Sequence, residues 1–148
     1  EVANQFLHTE RKFSQPQRED LNFANPNEKF LCKKAIAIMD ENIEFPIKIG
    51  HIASKLTVSV RRLEREFIYS HKMSPLKFYL RLRLNHAKNF LYYENYKINI
   101  ISNMCGFNYN SVFNNAFKKE FNITPKEYRN NVRKHQNEHI KPELKNIN

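Results

Sequence analysis

The feature that most constrains this chain is a repeat at a fixed offset of 50 residues. Laying Ser59-Val-Arg-Arg-Leu-Glu-Arg-Glu-Phe67 over Tyr109-Asn-Ser-Val-Phe-Asn-Asn-Ala-Phe117 matches Leu63 to Phe113 and Phe67 to Phe117. The same offset carries Ser74-Pro75 onto Thr124-Pro125. A hydroxyl residue followed by proline is a helix start: the hydroxyl accepts from an early helical N–H, and proline lacks the donor that would otherwise be orphaned. Large apolar residues four apart, each set followed by such a start, describe one helical unit made twice. The chain therefore has to fold as two copies of a single supersecondary design.

Helical spacing recurs around these two copies. A first helix is predicted over residues 27–42, with Phe30, Leu31, Ala35, Ile38 and Met39 on one face and Pro46 beyond its end. A short helix over 47–56 turns Ile49, Ile52, Ala53 and Leu56 inward, Thr57-Val58 breaks it, and Ser59 caps the next. That helix, 59–70, has Val60, Leu63 and Phe67 inward. A helix of 75–94 follows, with Leu76, Tyr79, Leu80, Leu84, Ala87 and Leu91 spaced for burial. The scheme then repeats: a short helix over 99–104, a turn at Cys105-Gly106-Phe107, a helix over 110–121, and a last one from Thr124-Pro125 to about residue 135. Two glycines, no tryptophan and little alternation argue against a sheet. The expected architecture is all-α, about seven helices, with two tandem helix-turn-helix subdomains joined by a long linker helix. Residues 1–26, with Pro16 and Pro26, read as a linker or tail holding at most a helical turn at 2–8; 27–135 is the folded domain and 136–148 a flexible C-terminal tail.

Charge is unevenly spread. Residues 1–59 carry 8 Lys/Arg against 8 Asp/Glu, residues 60–135 carry 15 against 5, and residues 136–148 carry 2 against 2. A folded basic segment between neutral ends is the footprint of a polyanionic partner. Charge alone would also suit RNA or a membrane surface, but no run approaches the roughly 18 apolar residues of a membrane span, and no charged start precedes an apolar stretch. A cytoplasmic protein with no membrane partner is expected. The two cysteines, Cys32 and Cys105, fall in apolar helical patterns and read as buried free thiols. The six histidines are scattered, with no ligand cluster for a metal, no paired carboxylates and no glycine-rich phosphate loop, so neither a metal, a cofactor nor catalysis is expected.

In a helix-turn-helix the second helix enters the major groove while the first braces it. Such a helix needs an apolar inward stripe to hold it and an outward stripe of side chains that reach base edges. The outward stripe of the first unit is Arg61, Glu64 and Arg65, with Arg62 beside it; arginine grips guanine through O6 and N7, and glutamate accepts from the cytosine amino group. The second unit presents Asn110, Ser111, Asn114 and Asn115, with Val112 near the groove; asparagine suits adenine, and a valine methyl meets that of thymine. The bland alternative is a solvated polar face, which is stronger for the second stripe because the chain is rich in Asn throughout. A linker helix of about twenty residues is about 30 Å long, close to the roughly 34–36 Å between successive major grooves on one duplex face. One chain could thus place both helices on a site of about two turns, with some bending of the DNA. A helical RNA-binding or protein-interaction module is the rival reading; against it, the large aromatics Phe67, Phe113 and Phe117 lie on inward stripes and offer bases no stacking platform.

These residues resemble the AraC/XylS family of bacterial regulators over about 27–133. The resemblance rests on Ile52-Ala53, S-x-R-x-L-x-R-x-F at 59–67, S-P at 74–75, L-R-L-x-x-A at 82–87, G-F-x-x-x-S-x-F at 106–113, F-K-K-x-F at 117–121 and T-P-K-E-Y-R at 124–129. It implies a seven-helix, bilobal fold that binds double-stranded DNA, with base contacts at the positions of Arg61, Glu64, Arg65, Asn110, Ser111, Asn114 and Asn115. Phosphate contacts around them fall on Ser59, Arg62, Tyr109, Lys118 and Lys119. RNA polymerase is the implied partner in transcription regulation. Two positions depart from the family: Lys72 stands where glycine is usual, implying a left-handed lysine at about 1 kcal/mol or another cap, and Asn122 stands at its counterpart. Ser102 replaces a common alanine and should fit. Residues 2–9 with Pro16-Gln17-Arg18 resemble the junction of those members that carry an N-terminal DJ-1/amidotransferase-like domain. A small-molecule effector would then act only through that further domain.

Overall fold

The computed structural model describes the backbone of residues 26–144 and the side chains of 30–138. The helical turn considered at 2–8 and the junction-like residues up to Arg18 lie outside the described residues. Seven helices and, among the described residues, no strand make up the fold: α1 (Pro26–Glu41), α2 (Ile49–Lys55), α3 (Val60–His71), α4 (Pro75–Tyr93), α5 (Ile98–Met104), α6 (Asn110–Phe121) and α7 (Pro125–Leu144). The first six lie within a residue or two of the expected bounds. The last does not: α7 continues to Leu144, so residues 136–144 are helix rather than irregular tail. No glycine or proline interrupts 126–141, and its Lys, Arg, Gln and Glu residues favour helix without needing a buried face.

The starts are capped as the sequence implies. Ser59 Oγ accepts from the Arg62 amide at 3.1 Å, and Ser74 Oγ from the Lys77 amide at 3.2 Å. Thr124 and Glu127 form a reciprocal capping box: Thr124 Oγ1 accepts from the Glu127 amide at 3.2 Å, and Glu127 Oε2 accepts from the Thr124 amide at 2.9 Å. The Thr124 amide, and the Thr124 hydroxyl that donates to the same Oε2 at 2.8 Å, hold the Glu127 carboxyl below the usual glutamate range. Both Lys72 (φ 56°) and Asn122 (φ 60°) adopt the left-handed conformation after their helices. Lysine has no intrinsic preference for it; here its Nζ reaches back to the Tyr69 carbonyl at 3.1 Å.

Two apolar cores form, one per unit. The first gathers Leu31, Ala35, Met39, Ile52, Leu63, Phe67 and Tyr79 and ends on α4 at Leu82; the second begins at Leu84 and gathers Ala87, Leu91, Ile101, Phe107, Phe113 and Phe117. Cys32 and Cys105 are buried and form no disulfide. Three residues expected inside are outside: Phe30 is 56%, Val60 40% and Leu76 68% exposed. Each sits near the start of its helix, where no neighbouring element covers it. The buried stripes begin at Leu31, Leu63 and Pro75.

Candidate nucleic-acid interface

The recognition-type helices α3 and α6 are each held by two fully buried residues, Leu63 with Phe67 and Phe113 with Phe117. Anchoring positions i and i+4 leaves the opposite arc of a helix free. On α3 that arc carries Arg61, Arg62, Glu64 and Arg65, all exposed; on α6 it carries Asn110, Ser111 and Asn115, exposed, with Asn114 half-buried at the edge. Val112 is 53% exposed between them. The structure thus brings the outward residues together on one arc of each helix. Ser59, Tyr109, Lys118 and Lys119 are also exposed. The Ser59 hydroxyl accepts from an amide, which leaves its proton available to donate. Arg65 lies 3.7 Å from Glu66, a loose ion pair that leaves its side chain 73% exposed.

The second recognition-type helix does not stand in the same turn as the first. Val58 N donates to Ala53 O and Phe107 N to Ser102 O, both at 3.0 Å, so the turns match at an offset of 49 (58 to 107). The helices match at 50 (59 to 109). Asn108 is the extra residue, and it brings Tyr109, which makes no side-chain cap, to the head of α6. In both turns one residue has positive φ: Thr57 at 55° and Gly106 at 80°.

Sequence reasoning missed two cations near α3. Lys34 and Lys55 line a shallow open groove with Arg62, beneath Phe30, Thr57 and Val58. Lys34 Nζ sits 4.4 Å from the Phe30 ring centroid, which accounts for that exposed ring. Lys34 belongs to α1, and no local pattern relates it to a helix that begins 26 residues on, at Val60. Reasoning from the sequence also missed Arg83 of α4. Its Nε donates to Cys105 O at 2.9 Å and its Nη2 to Gly106 O at 2.7 Å, with the guanidinium 4.2 Å from the Phe107 ring centroid. Burial pushes this guanidinium below the usual arginine range. Among the described residues no group of His, Cys, Asp or Glu is placed to hold a metal, and no helix is long and apolar enough to cross a membrane.

The model of a helix-turn-helix domain family matches residues 52–131. The chain is 38% identical over 100 residues to the HTH-type transcriptional regulator ArgR of Pseudomonas aeruginosa, covering 68% of this chain and 30% of that protein. The chain thus spans under a third of that relative's length. A crystal structure of a transcriptional regulator described as AraC-type DNA-binding domain-containing, from Chromobacterium violaceum, superposes with a TM-score of 0.69 at 36% identity, covering 73% of this chain and 96% of that one. The DNA-binding domain of AdpA, solved with a target DNA, shares the fold at a TM-score of 0.66 and 21% identity, over 71% of this chain and 94% of that one.

Proposed function

The chain belongs to the AraC/XylS family of helix-turn-helix transcriptional regulators, and we propose that it is a unit that reads double-stranded DNA in two successive major grooves. The observation that carries this reading is the pair of buried anchors on each of α3 and α6, which frees one polar arc per helix. In it Arg61, Glu64 and Arg65 read one box, and Asn110, Ser111, Asn114 and Asn115 the other, through the base-edge pairings each side chain can make. Ser59, Arg62, Tyr109, Lys118 and Lys119 hold phosphates, joined by Lys34 and Lys55. These contacts position the protein without carrying sequence information.

Helix α4 has 19 residues, about 28 Å at 1.5 Å per residue, somewhat short of the roughly 34–36 Å between major grooves. DNA that bends toward the protein closes that gap. The division of labour with the rest of the polypeptide extends the proposal: a small-molecule effector acts through a further domain, and the output goes to RNA polymerase. No catalysis by this unit is proposed.

Selection of binding sites from a pool of random duplexes tests the reading. The expected product is a two-box motif, one box containing G and the other rich in A and T. Binding should weaken steeply with salt while keeping a large ratio of selected to random affinity. Enrichment of no duplex, or tighter binding to single-stranded RNA, overturns it in favour of an RNA or protein-interaction module.

A further inference from the structure

Among the buried residues of α4, Leu82 belongs to the first core and Leu84 to the second, with Arg83 between them, while the half-buried Leu80 packs against the second core. Burial of apolar surface is non-directional; it holds each lobe together without setting the angle between them. Polar and steric contacts cross the division. Arg83 grips the second lobe's turn through Cys105 O and Gly106 O. On the same face of α4, at i−4 and i+3, the Tyr79 hydroxyl donates to Asn42 O, and His86 Nε2 lies 2.9 Å from Asp40 Oδ1, both in the first lobe. The gripped turn in turn rests on the first lobe: a Cβ on Gly106 would lie 2.5 Å from Ile43 O and 2.5 Å from the Pro46 ring.

We infer that Arg83 is a positioning residue that sets the angle between the two recognition helices, so that the protein accepts DNA whose two boxes have one spacing. A planar guanidinium making two parallel bonds to successive carbonyls fixes orientation as well as distance. Neither a lysine nor an apolar side chain can reproduce that fork. The bonds are made to the turn that launches α6, so any rotation of the second lobe about α4 breaks them. The inference rests on the two-groove reading above, and it assigns the spacing requirement of that reading to a residue that touches no DNA.

The test measures affinity of the whole chain for the selected two-box duplex and for versions with one base pair added or removed between the boxes, which turns one box by about 35° relative to the other. Wild type should lose at least about tenfold on the altered spacings, whereas Arg83→Met should lose about threefold or less. Pro46→Ala, on the far side of the same contact, should narrow the difference in the same direction. Arg83→Lys keeps the charge without the fork, and together with Pro46→Ala carries the test if Arg83→Met melts below assay temperature. An undiminished spacing penalty in the folded variants overturns the inference, as does specific binding by wild type with no spacing penalty. If wild type selects no duplex, the two-groove reading has failed instead. Spin labels on Ile68→Cys and Lys119→Cys then decide for Arg83 without DNA, since the native cysteines are buried. A narrow interlabel distance distribution in wild type should broaden in Arg83→Met, and an unchanged width refutes its positioning role.

Discussion

Thr57 and Gly106 occupy the same place in the two turns, both with positive φ, yet only the second is closed to a side chain. Thr57 is exposed and carries its branched Cβ at φ 55°, with its hydroxyl on Leu56 O at 2.7 Å. Gly106, at φ 80°, lies against Ile43 and Pro46 with no room for a Cβ. A left-handed L-residue loses roughly 1–2 kcal/mol, and a branched one sits at the worse end. Thr57→Asn should therefore stabilise the protein by about 0.5–1 kcal/mol. Gly106→Ala adds overpacking to the backbone strain and should destabilise by about 3 kcal/mol. Thermal melting of the two variants checks both signs; a Gly106→Ala protein that melts like wild type means the close approach is absent.

His71 shows the repeat under a different load. It takes the place that Phe121 takes 50 residues later, stacked on Phe67 with ring centroids 5.3 Å apart and edge-on to Phe78 at 4.8 Å. Its Nδ1 is buried without a partner, and burial lowers its pKa from 6.5. The unfolded chain does not lower it, so protonation favours unfolding. Stability should hold above about pH 7 and fall as pH drops through 6.5, levelling below the folded-state value. His71→Phe should remove that part of the acid loss and add about 1 kcal/mol at neutral pH by eliminating an unsatisfied polar atom. Equal wild-type and variant slopes of stability between pH 5 and 7 would sink the assignment.

Ser102 does fit its alanine-like position, at 1% exposure, but its Oγ is buried with no hydrogen-bond partner. Ser102→Ala should raise stability by about 1 kcal/mol, the desolvation of one unpaired hydroxyl. Denaturant unfolding with an unchanged slope and a higher midpoint is the expected record.

Phe113 is fully buried between Phe107 and Phe117, with ring centroids at 5.2 and 5.8 Å. Phe113→Ala should destabilise by roughly 3–5 kcal/mol. Since the first lobe has its own core, hydrogen exchange should accelerate in α5 and α6 far more than in α1 and α3. Uniform acceleration would mean the lobes unfold as one.

Arg65 tests the interface itself. Its exposed guanidinium contributes little to folding through the loose pair with Glu66. Arg65→Ala should leave melting nearly unchanged and weaken the selected duplex by about 1–3 kcal/mol, with specificity relaxed at one position. Equal losses on selected and random duplexes would make it a phosphate contact.

The repeat, the Ser/Thr-Pro starts and the anchors Leu63, Phe67, Phe113 and Phe117 were legible in the chain because each is a local rule: capping acts over three residues and burial periodicity over four. Those rules also marked the outward arcs of α3 and α6, since an arc is defined once its anchors are known. They misplaced Phe30, Val60 and Leu76, because periodicity says which face a residue is on and not whether anything covers it. They missed buried polar residues, such as His86 against Asp40 from 46 residues away and Glu66 on the inner side of α3. The sequence by itself determined that two helix-turn-helix units form and which residues hold each one. The tertiary structure alone decided how the two are set against each other, through Arg83, Gly106 and Pro46. That joint unites segments some 20 to 60 residues apart in the chain, and contacts between distant segments leave no period for a sequence to display.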